Sequence, residues 1–194
     1  MSVHLVGTPT AQVGRNPLPS LERLSETFGF WGIAEDRPVI VYDTGHGVFA
    51  ARVWWTLRWA GVKNVRILDG GFAAWEALGF DTVAGPGPVN VHSELVAQRG
   101  QAPTIDDVHD YKGLLIDARQ PNRYRGIKER LDKKAGHIPG ARNLPVQDLF
   151  DADGMVKPSD EILGLFAQLG VTHTTDPASA VVYSCLLYTS DAAD

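Results

Sequence analysis

The chain has 194 residues and a formal net charge of −5, from 18 Lys and Arg against 23 Asp and Glu. Hydrophobic residues make up 44% of it, the mixture of a globular protein that can bury a core in one large or two small domains. The acidic balance argues against a nucleic-acid partner, and the lack of a long apolar run or signal-peptide pattern predicts a cytoplasmic protein with no membrane partner.

The first half alternates predicted helices with short apolar strands. Helices are predicted over residues 19–28 and 48–60, because apolar side chains recur there at helical spacing and glycine follows. Residues 39–42 form a β-branched run without polar alternation, the pattern of a parallel strand buried on both faces. Residues 65–68 form another strand, and residues 72–78 a short helix. This alternation predicts a parallel α/β sheet with the run at 39–42 near its centre.

The second half repeats this alternation after a break in composition. Glycine, proline and polar residues without a sustained period fill residues 83–103, which is typical of an interdomain linker. A short helix is predicted over residues 104–110 and a buried strand over 114–116. A capped helix follows over residues 158–170, and a central buried strand at 180–184.

An internal repeat connects the two halves. The order of helix, glycine and apolar strand in residues 19–42 recurs in residues 158–184, which favours two similar domains. The repeat places Asp43 and Cys185 at equivalent positions directly after their strands. A thiol between a strand end and a helix N-terminus is stabilised as a thiolate nucleophile, and the alternative for Cys185 is a buried structural cysteine. Because Cys185 is the only cysteine, no internal disulfide or structural metal site is predicted.

Four segments, taken in order, resemble the signatures of the tandem-domain rhodanese sulfurtransferases. They are residues 68–75 (LDGGFAAW), 115–119 (LIDAR), 123–126 (RYRG) and 135–143 (AGHIPGARN). The resemblance implies an α/β fold of two rhodanese-like domains, each a parallel sheet flanked by helices. Both domains are expected to be incomplete, with the chain truncated at both ends.

The resemblance also implies a domain organisation. Residues 1–82 correspond to an N-terminal inactive domain whose start is missing, and residues 83–103 to the linker. Residues 104–184 correspond to a C-terminal catalytic domain whose end is missing. Residues 185–194 are expected to be a non-native tail, because they resemble a translated sequencing adapter and do not continue into the family's glycine-rich loop.

The activity that the resemblance implies is sulfur transfer. A cysteine thiolate takes a sulfane sulfur from thiosulfate or 3-mercaptopyruvate, and the resulting persulfide gives it to cyanide or a thiol acceptor. The implied partners are therefore a small anionic sulfur donor and a thiophilic acceptor, and no cofactor is implied. Cys185 stands at the nucleophile's position, and Arg123 matches the arginine that binds the donor's anionic head. Asp43 is the equivalent residue of the inactive copy, and the chain as it stands is expected to be inactive.

Other roles stay open for several residues. Asp117 and Arg119 are interpreted as structural support for the loop, and so is His137, for which a general base is the alternative. Arg123 could instead form a surface ion pair. The whole chain could also be a catalytically inactive rhodanese-like module used for binding or regulation. A phosphatase of related fold would need a cysteine loop that ends in arginine, and no such arginine follows Cys185.

Overall fold

The computed structural model describes residues 4–8, 16–44, 47–85, 87, 93–100, 111–129 and 134–184. The chain divides into two compact units. Residues 4–8 and the described residues between 17 and 100 belong to the first unit, and those between 111 and 184 to the second.

The first unit alternates helices and strands as the sequence predicts. Its elements are α1 (Leu21–Trp31), β1 (Val39–Val41), α2 (Val48–Trp59), β2 (Val65–Ile67) and α3 (Gly71–Ala77). The two strands pair in parallel along their whole length. A parallel pair needs a crossover connection, and α2 supplies it.

The bounds of α1 follow from its end residues. The Ser20 side chain accepts a hydrogen bond from the Arg23 amide at 3.2 Å, which satisfies one of the free amides of the first turn. Gly32 ends the helix in the left-handed conformation, with φ of 64°. Leu24 and Phe28, one turn apart, are fully buried. The predicted helix is therefore confirmed, and of the two expected ends, near Gly29 or near Gly32, it ends at Gly32.

The core of the first unit lies between α1, α2 and the two-stranded sheet. Its buried residues come from both helices, both strands and the segments that follow them. They are Leu24, Phe28, Ile33, Val41, Ala50, Leu57, Ala60, Val62, Val65 and Ala97. The indole Nε1 of Trp54 donates to the Val65 carbonyl at 3.0 Å and so joins α2 to β2.

Part of the predicted linker packs against the first unit. Residues 93–100 have no regular secondary structure, but Ala97 is buried in the core. The Ala97 amide donates to the Ser25 hydroxyl at 2.9 Å, and the Gln98 amide donates to the Ala60 carbonyl at 3.0 Å. These bonds satisfy backbone groups that a buried loop would otherwise leave unpaired.

The second unit contains a three-stranded parallel sheet. Its elements are β3 (Leu114–Asp117), α4 (Pro121–Tyr124), β4 (Arg142–Asn143), α5 (Ser159–Ala167) and β5 (Ala180–Tyr183). The strand order is β4-β3-β5, so β3 is the middle strand. The sequence predicted β3, α5 and β5 but neither α4 nor β4, since four and two residues are too few to show a period.

The prediction that the runs at 39–42 and 180–184 are central and buried is wrong for the part of the chain that the structure describes. There β1 pairs with β2 alone and β5 with β3 alone, so both are edge strands. Ile40 is 52% exposed and Val182 is 48% exposed. An apolar run indicates that a strand can be covered on both faces, but it does not specify which element covers it.

Some predicted features lie outside the described residues. These are the helix predicted over residues 104–110 and the tail at 185–194. Across the described ranges, no helix is both long enough and apolar enough to cross a membrane.

Burial in the first unit can be tested with one pair of leucines. Leu57 on α2 is fully buried, whereas Leu78 is 71% exposed. We expect Leu57→Ala to lower the free energy of unfolding by about 2–5 kcal/mol through lost burial and a residual cavity, and Leu78→Ala by less than about 0.5 kcal/mol. Urea unfolding followed by tryptophan fluorescence measures this, because all five tryptophans lie between residues 31 and 75. Equal losses would contradict the described core.

Candidate functional site

The candidate site lies at the carboxyl ends of β3 and β5. The register pairs Asp117 with Tyr183, and the Ala118 amide donates to the Tyr183 carbonyl at 3.0 Å. Ligands of open α/β sheets bind at this edge, because the loops that leave parallel strands meet there. Cys185 follows two residues after Tyr183 and lies outside the described residues.

A buried ion pair ends β3. Asp117 is fully buried, and its Oδ2 lies 2.6 Å from Nη2 of Arg119. The Nε of Arg119 donates to both carboxylate oxygens at 3.0 Å, and this hydrogen bonding raises the pKa of the guanidinium. Nη2 also donates to the Gly136 carbonyl at 2.6 Å, and Asn143 Nδ2 donates to the Asp117 and Arg119 carbonyls. The pair thus attaches the strand end to the loop that begins at Gly136.

Tyr183 connects the end of β5 to the same loop. Its hydroxyl accepts a hydrogen bond from the Ile138 amide at 3.2 Å, and its ring centroid lies 5.9 Å from the Arg119 guanidinium carbon. Burial raises the pKa of the Tyr183 phenol, and the neighbouring Asp117 carboxylate raises it further. Sequence reasoning identified Tyr183 only as a strand residue. The one sequence signal for a role of Tyr183 in the site is its position as the last residue of β5, since the site lies at the carboxyl ends of the strands.

The structure pairs Arg123, the predicted donor-binding residue, with a carboxylate. Arg123 Nε lies 3.0 Å from Oε2 of Glu129 and Nη2 lies 3.2 Å from Oε1. The Glu129 side chain is 5% exposed, and its Oε2 is also 3.8 Å from Nη1 of Arg119. Sequence reasoning missed Glu129, because it lies in a loop where no period marks a partner for Arg123.

His137 is held by Tyr124. Its Nδ1 lies 2.8 Å from the Tyr124 carbonyl oxygen, and the two rings stack with centroids 3.7 Å apart. The Tyr124 hydroxyl donates to the Ala141 carbonyl at 2.7 Å. Gly126 allows the turn to approach this loop, since a Cβ there would lie 3.2 Å from the Gly136 nitrogen. His137 therefore makes the contacts of a loop-ordering residue.

In the first unit, Asp43 follows β1 and binds the start of α2. Its Oδ1 accepts the Gly47 amide at 3.2 Å, and its Oδ2 accepts the Phe49 and Ala50 amides at 3.0 Å each. The structure brings together Asp117, Arg119, Arg123 and His137 in the second unit, while Asp43 lies in the first. Among the described residues, no group of three or more His, Cys, Asp or Glu could hold a metal ion.

Comparisons with known proteins identify the family. The rhodanese-like domain model matches residues 1–78 and 101–186. The chain is 40% identical over 166 residues to the Mycobacterium tuberculosis protein named "Putative thiosulfate sulfurtransferase SseB", and 33% identical over 183 residues to the 3-mercaptopyruvate sulfurtransferase of Escherichia coli. These matches cover 82% and 88% of this chain. The chain belongs to the rhodanese family, and it contains two rhodanese-like domains.

Solved structures agree with this fold. The crystal structure of SseA from Escherichia coli matches with a TM-score of 0.72 at 31% identity, over 85% of this chain and 63% of that one. The 3-mercaptopyruvate sulfurtransferase from Leishmania major matches with a TM-score of 0.79 at 24% identity, over 94% of this chain and 52% of that one. The chain spans 58% of the length of the mycobacterial relative and 63% of that of the Escherichia coli enzyme.

The buried ion pair makes a prediction about stability. Replacing Asp117 with Ala removes the carboxylate at 2.6 Å from the largely buried Arg119 guanidinium and leaves only Glu129 at 3.8 Å, so we expect the second unit to lose about 3 kcal/mol. Asp153→Ala removes an exposed carboxylate and should cost less than about 0.5 kcal/mol. Hydrogen exchange of the β3 amides, read by mass spectrometry, measures both. Equal protection in the two variants would show that the pair does not hold the strand end.

Tyr183 makes a prediction about pH. Its pKa is raised in the folded state, so its contribution to stability is complete below the unfolded value of about 10 and is lost as pH rises toward the folded value. As pH rises from about 9 to about 11, the free energy of unfolding of Tyr183→Phe should therefore fall less than that of the unchanged chain. Urea unfolding followed by circular dichroism across this range measures the difference. Parallel curves would contradict the environment described for the phenol.

Proposed function

We propose that the protein, at the length of its relatives, is a sulfurtransferase that carries a sulfane sulfur on a cysteine. One observation supports this most directly. The end of β5, which leads to Cys185, is bound to the Asp117–Arg119 pair and to the loop at Ile138. Relatives with the same fold are named thiosulfate or 3-mercaptopyruvate sulfurtransferases.

The proposed reaction has two steps, both at the cysteine after β5, the position of Cys185. The thiolate attacks the outer sulfur of thiosulfate, an S–S bond forms, and sulfite leaves with the electron pair of the broken S–S bond. With 3-mercaptopyruvate, the thiolate attacks the donor's sulfur and the C–S bond breaks instead. The electron pair of that bond passes to the carbon, which takes the proton of the donor's own thiol, and pyruvate leaves. Cyanide or a thiol acceptor then removes the outer sulfur of the persulfide and restores the thiolate.

The charged residues of the second unit have separate proposed roles. Arg123 binds the anionic head of the donor, since a guanidinium forms strong charge-assisted hydrogen bonds with carboxylates and sulfur oxyanions. Asp117 and Arg119 hold the loop at Gly136, and His137 supports the same loop through Tyr124. None of these residues needs to exchange a proton in the reaction.

A catalytically inactive binding or regulatory module is the second candidate. Two observations favour it. Asp43 occupies the turn after β1 with a carboxylate that cannot form a persulfide, and Glu129 already holds the Arg123 guanidinium. A module of this kind would bind sulfur donors weakly or not at all, and it would release no sulfite.

Activity assays distinguish the two functions. We expect the full-length protein to form thiocyanate from thiosulfate and cyanide, or pyruvate from 3-mercaptopyruvate. The 194-residue chain should show essentially no turnover, because a preorganised set of loop amides contributes about 10²- to 10³-fold per donor and its residues 186–194 lack the glycine-rich loop. An inactive full-length protein would favour the module, and near-normal turnover by the short chain would refute the loop requirement.

Arg123 can be tested in the same assays. We expect Arg123→Ala to raise the donor KM of the full-length protein by roughly 10-fold or more, the loss of a charged hydrogen bond. Arg125→Ala is the matched control, because Arg125 lies two residues away, is exposed, and donates to Pro121 and Asn122. Circular dichroism checks that both variants fold. An unchanged KM in Arg123→Ala would remove this residue from the donor site.

A further inference from the structure

Four charged side chains of the second unit form one connected series. The Asp117 carboxylate is bound by Arg119, and Nη1 of Arg119 lies 3.8 Å from Oε2 of Glu129. The same oxygen of Glu129 lies 3.0 Å from Nε of Arg123. Two carboxylates thus alternate with two guanidiniums, from the buried end of β3 to the arginine that is proposed to bind the sulfur donor.

Glu129 is buried more deeply than the arginine that it binds. Its side chain is 5% exposed, whereas that of Arg123 is 16% exposed. A donor that arrives from solvent therefore has more access to Arg123 than to Glu129. A buried carboxylate also has to stay paired, which opposes its displacement by the donor.

The two bonds between Glu129 and Arg123 fix the orientation of the guanidinium. Nε donates to Oε2 at 3.0 Å and Nη2 donates to Oε1 at 3.2 Å, so both carboxylate oxygens take part. Such a two-point pairing sets the plane and the direction of the guanidinium. An arginine that is already ordered loses less side-chain entropy when it binds an anion.

We propose that Glu129 is a positioning residue for the sulfur donor, because it holds the Arg123 guanidinium in the direction in which the donor's anionic head is bound. This inference rests on the donor-binding role proposed for Arg123. Glu129 itself touches no reacting atom and acts through Arg123. Its contact with Arg119 connects this position to the buried Asp117 carboxylate at the end of β3.

Glu129→Asp tests the proposal in the full-length protein. The shorter side chain keeps the negative charge but draws the carboxylate back by one methylene, so it no longer holds both guanidinium nitrogens. We expect the donor KM to rise by roughly 3- to 10-fold and kcat to stay within about 2-fold, because donor binding changes and the reacting sulfur is untouched. Glu161→Asp is the matched control. It makes the same change at an exposed position of α5, and it should leave KM and kcat unchanged.

A double variant separates positioning from a general structural effect. In Arg123→Ala, Glu129 has no guanidinium at this position to orient, so the addition of Glu129→Asp should raise the donor KM no further. A rise by the same factor in both backgrounds would overturn the proposal. A lower KM in Glu129→Asp alone would also overturn it, since the carboxylate would then compete with the donor.

Arg123→Lys replaces the first variant if Glu129→Asp does not fold. A lysine keeps the positive charge, but its ammonium has no planar fork for a carboxylate to hold at two points. We expect its donor KM to rise toward that of Arg123→Ala. A KM equal to that of the unchanged protein would show that charge alone binds the donor and that orientation has no role.

Binding without transfer distinguishes this inference from the proposed activity. A full-length variant in which serine replaces the cysteine after β5 forms no persulfide, so titration calorimetry gives its Kd for thiosulfate directly. We expect Glu129→Asp to raise this Kd by the same roughly 3- to 10-fold. A raised Kd in a protein whose parent never transfers sulfur would support the positioning role without the sulfurtransferase function. An unchanged Kd in a protein whose parent does transfer sulfur would overturn the positioning role alone.

Discussion

The arrangement of the second unit depends on the burial of one carboxylate. Asp117 is fully removed from water at the end of the middle strand, and a charge in that position has to be paired. Arg119 provides the pairing, two residues along the chain. Its guanidinium then reaches the Gly136 carbonyl and lies against the Tyr183 ring. A single desolvated charge thereby fixes the ends of two strands and one loop relative to each other.

The residue that follows the strand differs between the two copies of the predicted repeat. In the first unit this residue is Asp43, whose carboxylate is bound by backbone amides. In the second unit the equivalent strand leads past Ser184 to Cys185, outside the described residues. An aspartate carboxylate and a cysteine thiolate both carry negative charge. Their difference is chemical, since only the thiolate can take up sulfur.

The sequence predicted the helices and strands better than it predicted the partners of their side chains and the exposure of the strands. Helix α1 could be predicted because Ser20 caps it and Leu24 and Phe28 share one face, and both signals are local. The family could be predicted because its motifs are short and ordered. The pairing of Arg123 with Glu129 could not be predicted from the sequence, because it depends on the path of the loop that follows α4. The exposure of Ile40 and Val182 was also missed, since apolar composition does not show which neighbour a strand lacks.

The most direct test of the account is the mass of the full-length protein after incubation with thiosulfate, measured under non-reducing conditions. The account predicts a gain of one sulfur atom on the cysteine that follows β5, located by peptide mapping, and its removal by cyanide with release of thiocyanate. A protein that folds and binds thiosulfate but never gains this sulfur would contradict the claim that the second unit carries sulfur on a cysteine.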